Sequence, residues 1–336
     1  MSKRLVIILS SCCAGIICIA LVGLLTLRSY LHTPYVTQDH IIEIRPGSGL
    51  QSIARQLANE TSLQYPRVFS LWGRLKGYDR VLRTGEFQLK QGMSASDVAL
   101  QLTSGQVVQY PIAFIEGTTA KQALETLWNS PKISVTLQQS SEAEILTALG
   151  AEYESLEGLL FPDTYFYTAG TSDLSVLKRA YTRLQEELQS LWQARAVGLP
   201  YESPYEALVL ASIIEKETGI DAEREDIAGV FTRRLSRGMR LQSDPTVIYG
   251  MGERYDGDIR SADLRETTAY NTYRINGLPP TPIALASRRA IEASLNPRPG
   301  DSLYFVATGD GGHVFSVTLE QHNAAVRRFL ENSRRQ

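Results

Sequence analysis

The sequence predicts an α+β protein in three parts: a single amino-terminal transmembrane helix, a small α+β module, and a larger mixed α/β domain. Three observations carry this prediction. Residues 5–27 form an uncharged run dominated by Leu, Ile, Val, Ala and Cys. From residue 41 to about 130, short alternating apolar segments break at glycine and resume with helical spacing. Beyond residue 200, well-bounded helical patterns alternate with Pro- and Gly-rich segments and close on a hairpin pattern. A chain of 336 residues has room for two folded domains at roughly 100–200 residues each.

The first element is the apolar run. It is long enough to span a bilayer core of about 30 Å at 1.5 Å per residue. Lys3 and Arg4 precede it and Arg28 follows, so the positive-inside rule places the amino terminus in the cytoplasm and the body outside. The run exceeds the usual apolar core of a cleaved signal peptide, and no small-x-small site follows it. Leu9-Ser10-Ser11-Cys12 looks like a lipoprotein box, but the apolar run continues well past it. An uncleaved anchor over residues 1–28 is expected, with a polar linker over 29–40 containing Pro34. All three cysteines, Cys12, Cys13 and Cys18, lie in the run, and a cysteine-free body suits an oxidising compartment. The formal net charge of −2 argues against a nucleic-acid partner.

Residues 41 to about 130 are built of repeated units, and residues 41–105 form the second part. Ile42 and Ile44 alternate, Pro46 to Gly49 break, and Leu50, Ile53, Ala54 and Leu57 take helical spacing. Ile112 and Phe114, Gly117-Thr118, then Ala120, Ala123 and Leu127 repeat this. A weaker copy runs from Phe87 through Gly92 to Leu102. The turns use Gly for a left-handed backbone and Ser or Thr as helix caps. A second helix around Val68, Phe69, Leu71, Trp72 and Leu75 sits between the first two strands. Strand, helix, helix, strand over residues 41–89 resembles a LysM-type module, a glycan-binding fold, although small strand–helix units of this kind are common.

The third part, residues 106–336, carries the chemistry. Residues 131–200 read as mostly helical, interrupted by a loop-like aromatic segment over 156–167 that contains Glu157 and Asp163. Ser203-Pro204-Tyr205-Glu206 is a capping box with proline at the first helical position. The helix continues to Thr218, with Gly219 as its expected stop. Only Ser212 is polar between Ala207 and Ile214, and a helix apolar all round is buried. Glu215 extends this buried surface, and burial raises a carboxyl's pKa toward the range a general acid needs. A solvated helix end would explain the same residues, and spacing does not separate Glu215 from Glu217. Acidic residues at the start and Arg233, Arg234 and Arg237 at the end of the next helix follow its macrodipole. Residues 239–250 space Gln242, Asp244, Thr246 and Tyr249 through apolar neighbours, with a break expected at Pro245. Sugar sites need such groups, since amides and carboxylates bind hydroxyls and aromatics cover ring faces. Asn271 and Tyr273 precede a rigid proline loop. Residues 303–307 and 313–317 flank a Gly-rich turn as a β-hairpin. No nucleophile elbow, phosphate loop or helical zinc motif is present, and the four His are scattered. A reaction without cofactor or metal is expected.

Residues 157–167, 211–218, 238–250, 271–283 and 293–297, with the hairpin closing on His322-Asn323, resemble the YceG-like family of endolytic murein transglycosylases. The similarity covers nearly everything after the linker. It departs at Thr268-Ala269, where the family more often has Ser-Pro, and around residues 112–117. The resemblance implies an inner-membrane anchor, a LysM-like module and a catalytic domain in the periplasm. It places the catalytic glutamate on Glu215; Glu157, Gln242, Asp244, Thr246, Tyr249, Asn271 and Tyr273 are the expected substrate-binding residues. The implied substrate is the peptidoglycan glycan strand, and the implied partners are peptidoglycan synthases. The implied reaction cleaves the β-1,4 bond between MurNAc and GlcNAc of nascent strands, leaves 1,6-anhydro-MurNAc ends and terminates elongation. Two other readings stand beside it: a hydrolase using Glu157, Asp163 or Asp244 as second carboxylate, and a non-catalytic glycan-binding scaffold.

Overall fold

The computed structural model describes residues 3–309 and 311–333. They divide into two compact units, the first ending at Tyr110 and the second beginning at Pro111. The fold is α+β as expected, but the strands form only two-stranded sheets among the described residues. The larger unit is therefore a helical assembly with small ribbons, not a layered α/β domain.

In the first unit, α1 (Lys3–His32) contains a stretch, Ser11–His32, long and apolar enough to cross a membrane. The helix runs on past Arg28, so the first residues read as linker are helical. Then follow β1 (His40–Ile44), α2 (Leu50–Glu60), α3 (Pro66–Leu75), β2 (Gly85–Leu89) and α4 (Ala95–Ser104). β1 and β2 pair antiparallel with Ile42 opposite Phe87. Strand side chains alternate between faces, so Ile42 and Ile44 enter the core while Ile41 is exposed. Gly47 and Gly92 adopt the left-handed backbone for which the repeated glycine was read. Ser94 caps α4 with a full capping box, but Ser48 caps nothing, because α2 starts from Gly49 without a side-chain cap. α3 also differs from its expected stripe. Phe69, Ser70 and Gly73 are buried, whereas Leu71 and Leu75 are exposed. Gly73 explains this: a Cβ there would lie 2.6 Å from Leu50 Cδ2, so α2 and α3 approach along the small-residue face.

In the second unit, β3 (Tyr110–Ala113) leads to α5 (Ala120–Trp128) and α6 (Glu142–Leu149). Thr119 caps α5, in place of the Thr118 that the repeat suggested. β3 pairs with β4 (Thr164–Tyr167), a strand inside the aromatic segment read as loop. Tyr165 and Tyr167 point inward and alternate with exposed Thr164 and Phe166. Residues 131–141 are not helical. Buried Asp173 organises them by accepting from Thr136 N at 2.9 Å, Leu137 N at 2.8 Å and Thr136 Oγ1 at 2.5 Å. After α7 (Asp173–Gln193) come α8 (Pro204–Glu217), α9 (Arg224–Ser236), α10 (Asp244–Met251), α11 (Arg288–Leu295), the antiparallel hairpin β5 (Tyr304–Ala307) and β6 (His313–Ser316), and α12 (Leu319–Ser333).

α8 is the centre of this unit. Every residue from Ala207 to Glu215 is buried, with α7, α9, α10 and α11 packed around it. Each large apolar side chain buried there contributes roughly 1.5–3 kcal/mol. Ser212, its one interior polar residue, donates to Val209 O and accepts from Ile283 N, which ties the proline loop to the helix. Gly158 permits a second tie: its backbone is left-handed, and a Cβ would lie 2.3 Å from Pro282 Cβ.

Candidate active site

α8 starts as expected. Ser203 Oγ accepts from Glu206 N, Glu206 Oε2 accepts from Ser203 N, and Pro204 occupies the first turn. Its end differs. The last helical residue is Glu217, Thr218 is extended, and Gly219 does not take the left-handed conformation of a glycine stop. Thr218 instead closes the turn by accepting from Ile220 N at 2.9 Å.

Three consecutive side chains leave this last turn for different partners. Glu215 is buried. Its Oε2 accepts from Ser287 N at 2.9 Å and Ser287 Oγ at 2.5 Å. Its Oε1 lies 3.1 Å from Arg224 Nη1, with both side chains almost fully enclosed. Arg224 in turn pairs with Asp221 at 3.1 Å, and Ser287 caps α11. Glu215 thus joins α8 to the starts of α9 and α11. Lys216 Nζ donates to Gly117 O at 2.9 Å.

Glu217 faces another environment. It is partly exposed on the wall of a cleft of about 510 Å³, lined also by Arg234, Gln242, Asp244, Tyr273, Tyr304 and His322. Ser243 Oγ donates to Glu217 Oε1 at 2.5 Å, and among the described residues Oε2 accepts no protein hydrogen bond. Burial pushes the Glu217 carboxyl up to about 7; neighbouring Asp244 adds to this, while Ser243 and Arg234 oppose it. The carboxyl end of a helix also disfavours a further negative charge. Near neutral pH the group can both give and take a proton, which is the requirement for general acid–base work.

The cleft suits a polar, ring-shaped ligand. Tyr273 OH donates to Asp244 Oδ1 at 2.7 Å, and both line the wall. Tyr304 stacks on His322 at 5.3 Å between centroids, with the Arg234 guanidinium 5.1 Å from the Tyr304 ring. Burial and Arg234 push the His322 imidazole down, so it presents a neutral face. Gln242 has φ +52, a left-handed strain of the kind that clusters at functional sites. The hairpin wall is fixed by His313, whose backbone N–H donates to Glu223 Oε1 at 2.9 Å.

The residues expected at the site separate into distinct groups. Gln242, Asp244 and Tyr273 share the cleft with Glu217. Glu157 and Tyr249 line a different cleft of about 400 Å³, with Tyr249 OH donating to Glu157 Oε2 at 3.2 Å. Burial pushes Glu157 up to about 7 against the hydrogen bonds from Ala120, Tyr249 and Gly158. Thr246 and Asn271 are buried and spend their bonds internally. Thr246 Oγ1 donates to Ser243 O, and Asn271 Nδ2 donates to Asp263 O and Glu266 O. They hold the loop backbones and have no surface to offer a glycan. Glu215 lines neither cleft, but its partners Arg224 and Ser287 line a third, of about 590 Å³. Pro245, read as a break, instead opens α10 from its first turn.

Sequence reasoning read Arg234 only as a charge that follows the helix macrodipole. It is buried, and it donates to Leu303 O at 2.6 Å and Leu241 O at 2.8 Å, joining two walls of the cleft. The sign was there: Ile227, Phe231 and Arg234 share one helical face.

Comparison with known proteins finds similarity over most of the chain. The model of the YceG-like family matches residues 42–328. A Bacillus subtilis protein named endolytic murein transglycosylase is 30% identical over 308 residues, covering 87% of this chain and 85% of that protein. A Streptococcus pneumoniae protein of the same name is 30% identical over 333 residues, covering 89% of this chain and 59% of that protein. The crystal structure of a YceG-like protein from Listeria monocytogenes superposes with a TM-score of 0.53 at 28% identity, covering 85% of this chain and 98% of that one.

Proposed function

The chain belongs to the YceG-like family, and from that premise we propose that it is a membrane-anchored endolytic murein transglycosylase, a lyase acting on peptidoglycan, with Glu217 as its acid/base. The observation that carries the assignment is the placement of the Glu217 carboxyl on the cleft wall, with Ser243 on one oxygen and Gln242, Asp244 and Tyr273 lining the same cleft. Glu215, the position to which the family resemblance pointed, lies outside that cleft, with Oε2 accepting from Ser287 and Oε1 3.1 Å from the enclosed Arg224 guanidinium. We assign it a positioning role.

In the proposed reaction Glu217 gives its proton to the glycosidic oxygen between MurNAc and GlcNAc as the C1–O4 bond breaks. The resulting carboxylate takes the proton of the MurNAc C6 hydroxyl as O6 bonds to C1. The products are a free GlcNAc end and a 1,6-anhydro-MurNAc end, and Glu217 is again protonated. The nucleophile belongs to the substrate, so a single protein carboxyl suffices, unlike in a two-carboxylate glycosidase. The Ser243 hydroxyl holds one oxygen of Glu217 and leaves the other to the substrate. Tyr304 and His322 offer a stacking surface, and Gln242, Asp244 and Tyr273 offer hydrogen-bonding groups for sugar hydroxyls. On nascent strands such cuts would terminate elongation.

In this reading α1 is a single-pass inner-membrane anchor with its amino terminus in the cytoplasm, which leaves both folded units in the periplasm. The strand–helix–helix–strand arrangement of the first unit is LysM-like and would bind glycan. Asp244 beside Glu217 supports a second reading, a two-carboxylate hydrolase. Mass spectrometry of digested nascent glycan tests both. Anhydro ends from wild type and from Glu215→Gln, with far slower release from Glu217→Gln, are expected. Reducing ends in their place would establish the hydrolase, and anhydro products formed by Glu217→Gln at the wild-type rate would overturn the assignment.

A further inference from the structure

α3 turns an apolar strip outward. Tyr65, Val68, Leu71 and Leu75 are exposed, Leu71 by 62% and Leu75 by 81%. At 3.6 residues per turn, Val68, Leu71 and Leu75 lie on one line, opposite the buried Phe69 and Gly73. Single exposed leucines are ordinary, but an aligned strip on one helix marks a contact surface. The charges around it are predominantly basic. Arg67, Arg74, Lys76 and Arg80 stand against Asp79 alone between Pro66 and Val81.

A second observation places the strip. The end of α1 is built into the same unit. Tyr30 OH donates to Gln64 O at 2.8 Å, and its ring meets that of Tyr65 edge-on at 6.3 Å. Leu31 is buried in the unit's core, Leu27 packs against that core, and Ser96 Oγ donates to Leu31 O at 3.0 Å. Tyr30 follows Leu27, the last residue of the uncharged run, by about 4–5 Å along the helix axis. The start of α3 is therefore held within one side chain of the point where the apolar run ends.

We propose that α3 lies on the membrane as an interfacial helix. Val68, Leu71 and Leu75 enter the acyl boundary, and Arg67, Arg74 and Lys76 pair with anionic phospholipid headgroups. Tyr30 and Tyr65 sit at headgroup level, where aromatic side chains collect. The proposal rests on α1 being a membrane anchor. It adds a second attachment, which fixes the orientation of the first unit on the bilayer.

The test uses the full chain in nanodiscs of mixed neutral and anionic phospholipid, with Cys12, Cys13 and Cys18 replaced by Ala. A single nitroxide is placed at Ile16→Cys, Leu71→Cys or Val197→Cys, the last a fully exposed reference. Relaxation by oxygen and by a water-soluble nickel chelate reports depth. Labels at 16 and 71 are expected to read as lipid-embedded, residue 71 at roughly 5–10 Å into the boundary, and residue 197 as aqueous. Residue 71 is expected to become shallower in nanodiscs of neutral lipid alone. A lipid-embedded label at 16 with an aqueous label at 71 would overturn the proposal, leave the anchor standing and return the strip to a protein partner. An aqueous label at 16 would overturn both.

Discussion

Replacing Glu217 by Gln removes one titrating proton and keeps the side chain's shape. In the folded protein burial, reinforced by Asp244, holds this carboxyl up to about 7, against 4.5 ordinarily. Below 4.5 folded and unfolded chains both carry the proton. Between 4.5 and about 7 the unfolded chain has released it and the folded protein has not. The stabilisation from this group is therefore complete below the unfolded value and is lost as pH rises through the folded one. At about 1.4 kcal/mol per pH unit the interval amounts to roughly 3 kcal/mol. Water in the cleft screens part of it, which leaves an effect on the order of 2–3 kcal/mol. Unfolding of wild type and Glu217→Gln in detergent from pH 4.5 to 8 measures it. The difference between the two should shift in the variant's favour with rising pH, by about 4–12 °C in Tm at roughly 2–4 °C per kcal/mol. In the same preparations wild-type kcat/KM should fall about tenfold per pH unit above the Glu217 pKa, and below that pKa the variant should be slower by roughly 10²–10⁴. Parallel stability curves together with wild-type turnover in the variant would refute both the buried proton and its use.

Glu215→Gln breaks the enclosed pair with Arg224, so a loss of about 3–5 kcal/mol is expected in denaturant unfolding, while turnover per folded molecule stays within about tenfold of wild type, far above Glu217→Gln. Asp173 behaves oppositely to Glu217: burial pushes its carboxyl up, but donors from Thr136, Leu137 and Leu174 outweigh this and hold it below 3.8. Its stabilisation is present above that value and lost as pH falls through the folded one, so Asp173→Asn should flatten the acid side of the stability curve. Gly158→Ala places a Cβ against Pro282 in a left-handed backbone; a cost on the order of 1–3 kcal/mol is expected, read as a lowered Tm. Tyr249→Phe removes the hydrogen bond to Glu157 and should cost about 1 kcal/mol, with the Glu157 titration, followed by NMR, moving further up.

Local signals in the sequence carried the helices well. The capping box at Ser203 and Glu206 and the all-round apolar run of α8 are formed by contiguous residues, so their structure follows from the residues themselves. β4 was passed over because its four residues sit between Gly and Pro breaks, although Tyr165 and Tyr167 alternate as strand residues do. Thr246 and Asn271 look like surface polar groups in a one-dimensional pattern. Only the folded loops show their bonds turned inward, to Ser243 O and to the backbone at residues 263–266.

The choice between the two glutamates shows the same limit at the site itself. Residues two apart on a helix lie about 200° apart and do not share neighbours. The Glu-Lys-Glu sequence at 215–217 therefore already requires the two carboxylates to meet different surroundings. Which one meets a cleft depends on what packs there. Glu215 meets Ser287, 72 positions later, and Glu217 meets Ser243, 26 positions later. Neither separation has a local signature. The same divergence makes the assignment separable by experiment: the two side chains share no hydrogen-bond partner, so their substitutions should be close to independent. A double variant whose stability loss is the sum of the single losses, with its turnover set by Glu217→Gln alone, would follow from that geometry. Strong coupling between the two would mean that both carboxyls serve one site.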